Sequence, residues 1–142
     1  MSYMENDQYG MYSRNFKGDA SPGPGPRLMG AETLLGNDVF NKHDEDLGDI
    51  KEIMLDVPTG KVSYAVLSFG GVFGIGEKLF AVPWGALKLD TVNERFVLDV
   101  SKERLADAPG FDKDDWPDMA DEVWQGKVHT YYGTSRNQGP RT

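Results

Sequence analysis

Apolar and polar residues alternate through the middle of this chain with the two-residue period of half-buried strands. In residues 47–56, LGDIKEIMLD, Ile53 and Leu55 point one way while Glu52, Met54 and Asp56 point the other. The following Val57-Pro-Thr-Gly60 places Pro58 at the second and Gly60 at the fourth position of a type I turn, so residues 62–69 are expected to fold back as a hairpin. In that second strand Val62, Tyr64 and Val66 share one face, and Ala65, Leu67 and Phe69 share the other. Both faces therefore need cover. A small barrel covers one by filling its interior with side chains, and something outside must cover the other.

The same alternation predicts strands at 36–41, 79–84, 86–90 and 96–100. Pro83 has no amide proton to donate, which puts it at a strand end or an edge. The glycine-rich connection 70–76 is expected to bend sharply between barrel strands. Ser101 is a candidate N-cap for a helical turn at 102–106, because its hydroxyl can accept a free amide of the first turn. Further on, Asp118 is expected to cap a short helix through Trp124 that Gly126 ends, leaving 127–132 extended.

Residues 1–31 and 134–142 lack either period and are rich in Gly, Pro, Ser and scattered charges. They are expected to be a mobile arm and a disordered tail, with 32–106 forming the barrel and 107–133 an acidic, aromatic extension packed on it. A barrel of about seventy residues buries only about 60% of its unfolded surface. It gains from such a cover.

The balance of 15 basic against 23 acidic residues gives a net charge of −8, which disfavours nucleic acid and anionic membranes as partners. No apolar run reaches the roughly 20 residues that span a bilayer, so a cytoplasmic location is expected. With no cysteine in the chain, disulfides and thiolate chemistry are excluded.

The segments DLGDIKEIMLD (46–56), YAVLSFGG (64–71), IGEKLFAVPW (75–84) and FVLDV (96–100) together resemble the PRC-barrel domain, known from the H subunit of the photosynthetic reaction centre and from a ribosome maturation factor. The likeness spans about residues 32–105, and APGFDKDDWPDM further resembles the tail of bacterial stand-alone members. It implies a mainly β, small antiparallel PRC-type β-barrel with short C-terminal helical and extended segments. It also implies a non-enzymatic module without cofactor. The reaction-centre subunit carries a membrane helix ahead of its barrel, where this chain has polar residues. The maturation factor has an RNA-processing domain with no counterpart here.

Candidate chemistry is sparse. Residues 74–79 begin like a dinucleotide fingerprint but place Leu79 where the third glycine belongs. His43 with Asp44, Glu45 and Asp46 has ligand-type side chains, though neighbours in one short turn rarely converge on an ion. Asp112, Asp114, Asp115 and Asp118 imitate a calcium loop, but Trp116 and Pro117 stand where a ligand and the required glycine belong. Neither His43 nor His129 is set in a nucleophile motif. The stronger lead is aromatic, since Trp and Tyr dominate interface energetics. Tyr64, Val66, Trp84, Trp116, Trp124, Tyr131 and Tyr132 are the interface candidates, serving either the packing of the chain's own tail or contact with a second copy. The expected role is a binding or assembly module that forms homodimers or larger assemblies and engages a further protein. The alternatives are a small-ligand or metal-responsive module using the acidic clusters, and a ribosome-maturation accessory.

Overall fold

The structure is a computed structural model that describes residues 2–5, 28–69 and 78–134. Its frame is the hairpin of β2 (Asp46–Asp56) and β3 (Lys61–Phe69), registered as Asp56↔Lys61, Met54↔Tyr64 and Ile53↔Ala65. Gly60 closes the turn at φ +77°, donating its N–H to the Asp56 carbonyl at 2.7 Å. Register shifts between Ile50 and Glu52 and between Met54 and Leu55 bend β2. At Gly48, where φ is +105°, an added Cβ would lie 2.0 Å from the Ser68 carbonyl oxygen of β3. Only glycine fits there.

β4 (Lys78–Pro83) pairs antiparallel with β3 and ends on Pro83 opposite Tyr64. A 3-10 turn, Trp84–Ala86, then redirects the chain into β5 (Leu87–Asp90), which pairs with β6 (Arg95–Leu98). Ahead of the hairpin, the helical turn α1 (Ala31–Leu34) leads to β1 (Asp38–Phe40), which runs parallel to β6 and antiparallel to β2. β7 (Phe111–Asp112) adds two residues to the edge of β4. The order is β5-β6-β1-β2-β3-β4-β7.

Among the described residues β5 and β7 form the ends of the sheet and share no ladder, so the barrel expected from sequence is there a curled sheet that is not closed. The reason is local. Pro83 cannot donate to a further ladder bond, and the 3-10 turn swings the chain off β4's line, so β5 meets β6 instead. The curl itself is set by the core, since Val39, Leu47, Ile50, Ala65, Leu67, Phe80, Val82, Phe96 and Leu98 from five strands converge in one buried cluster. Each large side chain there contributes about 1.5 to 3 kcal/mol by leaving water.

Leu105, fully buried, joins this cluster from α2 (Lys102–Ala106), whose first turn is capped by Ser101 Oγ accepting the Arg104 amide at 3.1 Å. The last element, α3 (Glu122–Tyr132), departs from expectation. Its cap is Asp121, whose carboxylate accepts the Val123 amide at 3.3 Å, and not Asp118. Gly126 lies inside it, and 127–132 is helical where an extended segment was expected. The stop is Gly133 at φ +70°, with the Gly133 and Thr134 amides returning to the carbonyls of Thr130 (3.3 Å) and His129 (2.9 Å). Trp124, Val128, Tyr131 and Tyr132 fall at the i, i+4, i+7 and i+8 positions of one helical face. Burying that stripe offsets the cost of an internal glycine.

Of the remaining expectations, the glycine-rich connection and the tail beyond Thr134 lie outside the described residues, as does most of the leading arm.

Candidate interaction surface

The outer face of β3 and β4 carries a second buried cluster of Tyr64, Ala81 and Val128, with Met54, Phe111, Met119, Trp124 and Tyr132 packed around it. Trp124 meets the Tyr64 ring edge-on at 5.3 Å between centroids. The Tyr64 hydroxyl lies 3.0 Å from His129 Nε2, and His129 Nδ1 lies 2.7 Å from Thr134 Oγ1. The outer face is thus covered by the chain's own helix. Tyr64 and Val66, at 4% and 0% exposure, are interior groups rather than contacts offered to a second copy.

The other aromatic candidates divide in the same way. Trp84 is half-buried against Phe96, with centroids 5.8 Å apart, and belongs to the core wall. Tyr131 and Tyr132 meet edge-on at 5.3 Å. Tyr131 is tied to α2 by three contacts: the Arg104 guanidinium stacks 4.3 Å from its ring and donates to its carbonyl at 2.6 Å, while its hydroxyl donates to the Arg104 carbonyl. The Tyr132 hydroxyl is buried without a hydrogen-bond partner among the described residues, and that burial pushes its ionisation well above the ordinary tyrosine range. Trp116 stays 41% exposed, resting on Phe111 at 5.0 Å and donating its indole N–H to the Lys113 carbonyl at 2.7 Å.

The outward side of α3 borders an open groove of about 460 Å³ lined by Pro109, Gly126, Lys127, Thr130 and Tyr131. Gly126 faces open space, since beyond its own helix no atom of the described residues lies within 4 Å of the position its Cβ would take. Internal packing does not require a glycine there. Lys127 lines the groove, and the Arg104 guanidinium stacks on Tyr131, which lines it too. Residues 112–122 instead carry Asp112, Asp114, Asp115, Asp118, Asp121 and Glu122 against the single Lys113.

The acidic clusters are occupied by local structure. Asn41 organises the turn at 43–46, accepting the amides of His43 (2.9 Å) and Glu45 (3.0 Å) and donating to the Val100 carbonyl at 3.1 Å. Asp44 pairs with Arg95, and Asp46 accepts the Gly48 amide at 2.8 Å. Asp118 accepts the Ala120 amide at 3.0 Å. Among the described residues no three His, Asp or Glu side chains are placed to hold a metal ion, and no helix is long and apolar enough to cross a membrane. Sequence reasoning does not single out Val128, Arg104 or Gly133, and it weighs His129 only as a catalytic histidine, not as the partner of Tyr64. The spacing of Trp124, Val128 and Tyr132 is the signal that marks the first of them.

A curled mainly β sheet around one core, its outer face sealed by a C-terminal helix, defines a small β-barrel domain. More narrowly, the chain belongs to the PRC-barrel domain family, whose profile matches residues 26–105. No curated protein matches the chain. Residues 107–134, which bring β7 and α3, lie beyond the matched region.

Proposed function

We propose that this protein is a non-enzymatic binding module that self-associates through the groove beside α3, with Trp116 of a second copy as the inserting group. The observation that carries the reading is Gly126. A glycine inside a helix costs about 1 kcal/mol relative to alanine, and here no neighbour among the described residues requires it. A close-packed partner supplies the missing reason.

Charge supports a second copy as that partner. Two molecules of net charge −8 repel at long range, yet the groove's Lys127 and Arg104 complement the six acids of 112–122 that surround Trp116 on another copy. Trp and Arg are also the residue types that most often anchor interfaces. In this reading the aromatic candidates have two roles, with Trp124 and Tyr132 shaping the helix's seat and Trp116 and Tyr131 meeting the neighbour.

Light scattering on the full chain tests the proposal. The expected mass exceeds 15.8 kDa, and Trp116→Ala or Gly126→Gln returns it toward that value without loss of the folded signal by circular dichroism. A chain that remains monomeric at the highest attainable concentration refutes self-association, and an oligomer indifferent to both variants places the contact elsewhere.

A further inference from the structure

Of the leading arm expected from sequence, residues 2–5 are placed against the sheet. Ser2 and Glu5 bond reciprocally: the Ser2 amide donates to Glu5 Oε1 at 3.1 Å, and the Glu5 amide donates to Ser2 Oγ at 3.3 Å. This is the capping-box exchange of a Ser-x-x-Glu sequence. It holds the Glu5 carboxyl below the usual carboxylate range. The turn it closes presents Tyr3, which is only 3% exposed and donates its amide to the Glu94 carbonyl at 3.1 Å.

The receiving side is preformed. Asp90 organises the β5–β6 turn by accepting the amides of Val92 (3.0 Å) and Asn93 (3.2 Å) and the Asn93 side-chain amide (2.9 Å). Glu94 adopts left-handed backbone at φ +56°. Next to it, Arg95 is fixed by Asp44, by Asp90 at 3.5 Å and by the Phe40 ring at 3.9 Å. A turn held at so many points keeps its carbonyl and its flank in place before anything binds.

We propose that the β5–β6 turn is a docking site for a short Ser-x-x-Glu turn with an aromatic second residue, occupied in cis by residues 2–5 with Tyr3 as the anchor. Release of Tyr3 would free residues 2–5 from the sheet as a unit, because the Ser2–Glu5 exchange closes the turn that carries it. This inference is independent of self-association through α3.

Amide exchange and chemical shifts measured by NMR on the full chain test it. The residue 3 amide is expected to exchange at least about tenfold more slowly in the wild type than in Tyr3→Ala, as a closed local structure requires. The substitution is also expected to shift the Asn93, Glu94 and Arg95 amides while leaving Val66 and Val128 unmoved. Glu5→Ala, which removes the capping partner and keeps the ring, is expected to lose part of the protection. Free-peptide exchange at residue 3 in the folded wild type overturns the proposal. Protection that disappears on dilution overturns the cis arrangement, and a Tyr3→Ala spectrum changed throughout the core overturns the assignment of a separable docking site.

Discussion

Replacing Gly126 by alanine separates the helix described above from the shorter one expected from sequence, because the two geometries demand opposite signs. Inside α3 the residue has ordinary helical backbone, and beyond its own helix no atom of the described residues lies within 4 Å of its missing Cβ. Alanine therefore meets no clash and gains no packing contact. What remains is the backbone entropy that glycine loses on folding, which favours Gly126→Ala by about 0.5 to 1 kcal/mol. For an unassociated chain of this size that raises the melting temperature by roughly 2 to 4 °C. Had the helix stopped at residue 126 with glycine in the left-handed position, alanine would instead cost about 1 to 2 kcal/mol. Gly133, at φ +70°, is the position that carries that cost here, so Gly133→Ala should lower stability by about 1 kcal/mol. Differential scanning calorimetry on both variants reads the pair, at several protein concentrations because a self-associating chain gains stability by mass action. A lower melting temperature for Gly126→Ala at every concentration would refute the continuous helix.

Four further outcomes follow from the contacts. Gly48→Ala drives a Cβ to 2.0 Å from the Ser68 carbonyl oxygen and should cost on the order of 3 kcal/mol or more, measured by urea unfolding; a loss below about 1 kcal/mol refutes the close approach. Tyr64→Phe removes the hydroxyl bonded to His129 and should cost about 1 kcal/mol with the ring packing kept; an unchanged urea midpoint means the bond contributes nothing. Burial raises the Tyr132 and Tyr3 phenols above the usual range. The unfolded chain therefore ionises first, and stability falls as pH rises past about 10, a slope that Tyr132→Phe should reduce. The Asn93 side-chain amide chiefly, with the turn amides and Arg95, holds Asp90 below the usual carboxylate range. Its contribution is present above about pH 4 and is lost on acidification through its folded value, so Asp90→Asn should flatten that part of an acid denaturation curve.

Much of the fold was legible because each strand carries its own period. The alternation of Ile53 and Leu55 against Glu52 and Met54, and the Pro58 to Gly60 turn, define a hairpin without tertiary knowledge. The two-faced strand 62–69 announced that something outside the sheet had to cover Tyr64. The nature of that cover was harder to read. Gly126 is a sound local stop signal, and Tyr131 with Tyr132 favours extension. Both are overridden by a stripe whose burial exists only once β3 and β4 have formed. Failure of the sheet to close depends likewise on where the 3-10 turn after Pro83 aims the chain, a matter of a few backbone angles with no periodic signature. The docking of Tyr3 rests on the spacing of Ser2 and Glu5, a capping pattern easily passed over in a polar, proline-rich stretch. The groove cannot be seen in sequence at all, because Pro109 and Gly126 meet only through the fold.

The family match ends at Leu105, whereas Tyr64 and Ala81 stay dry only because Val128 and Trp124 lie over them. The stretch that is recognisably inherited and the stretch that must be present to make a self-sufficient body thus have different borders. Anyone grafting the barrel into another protein along its inherited limits would transplant a greasy wall with its roof left behind, and the host would have to shelter it.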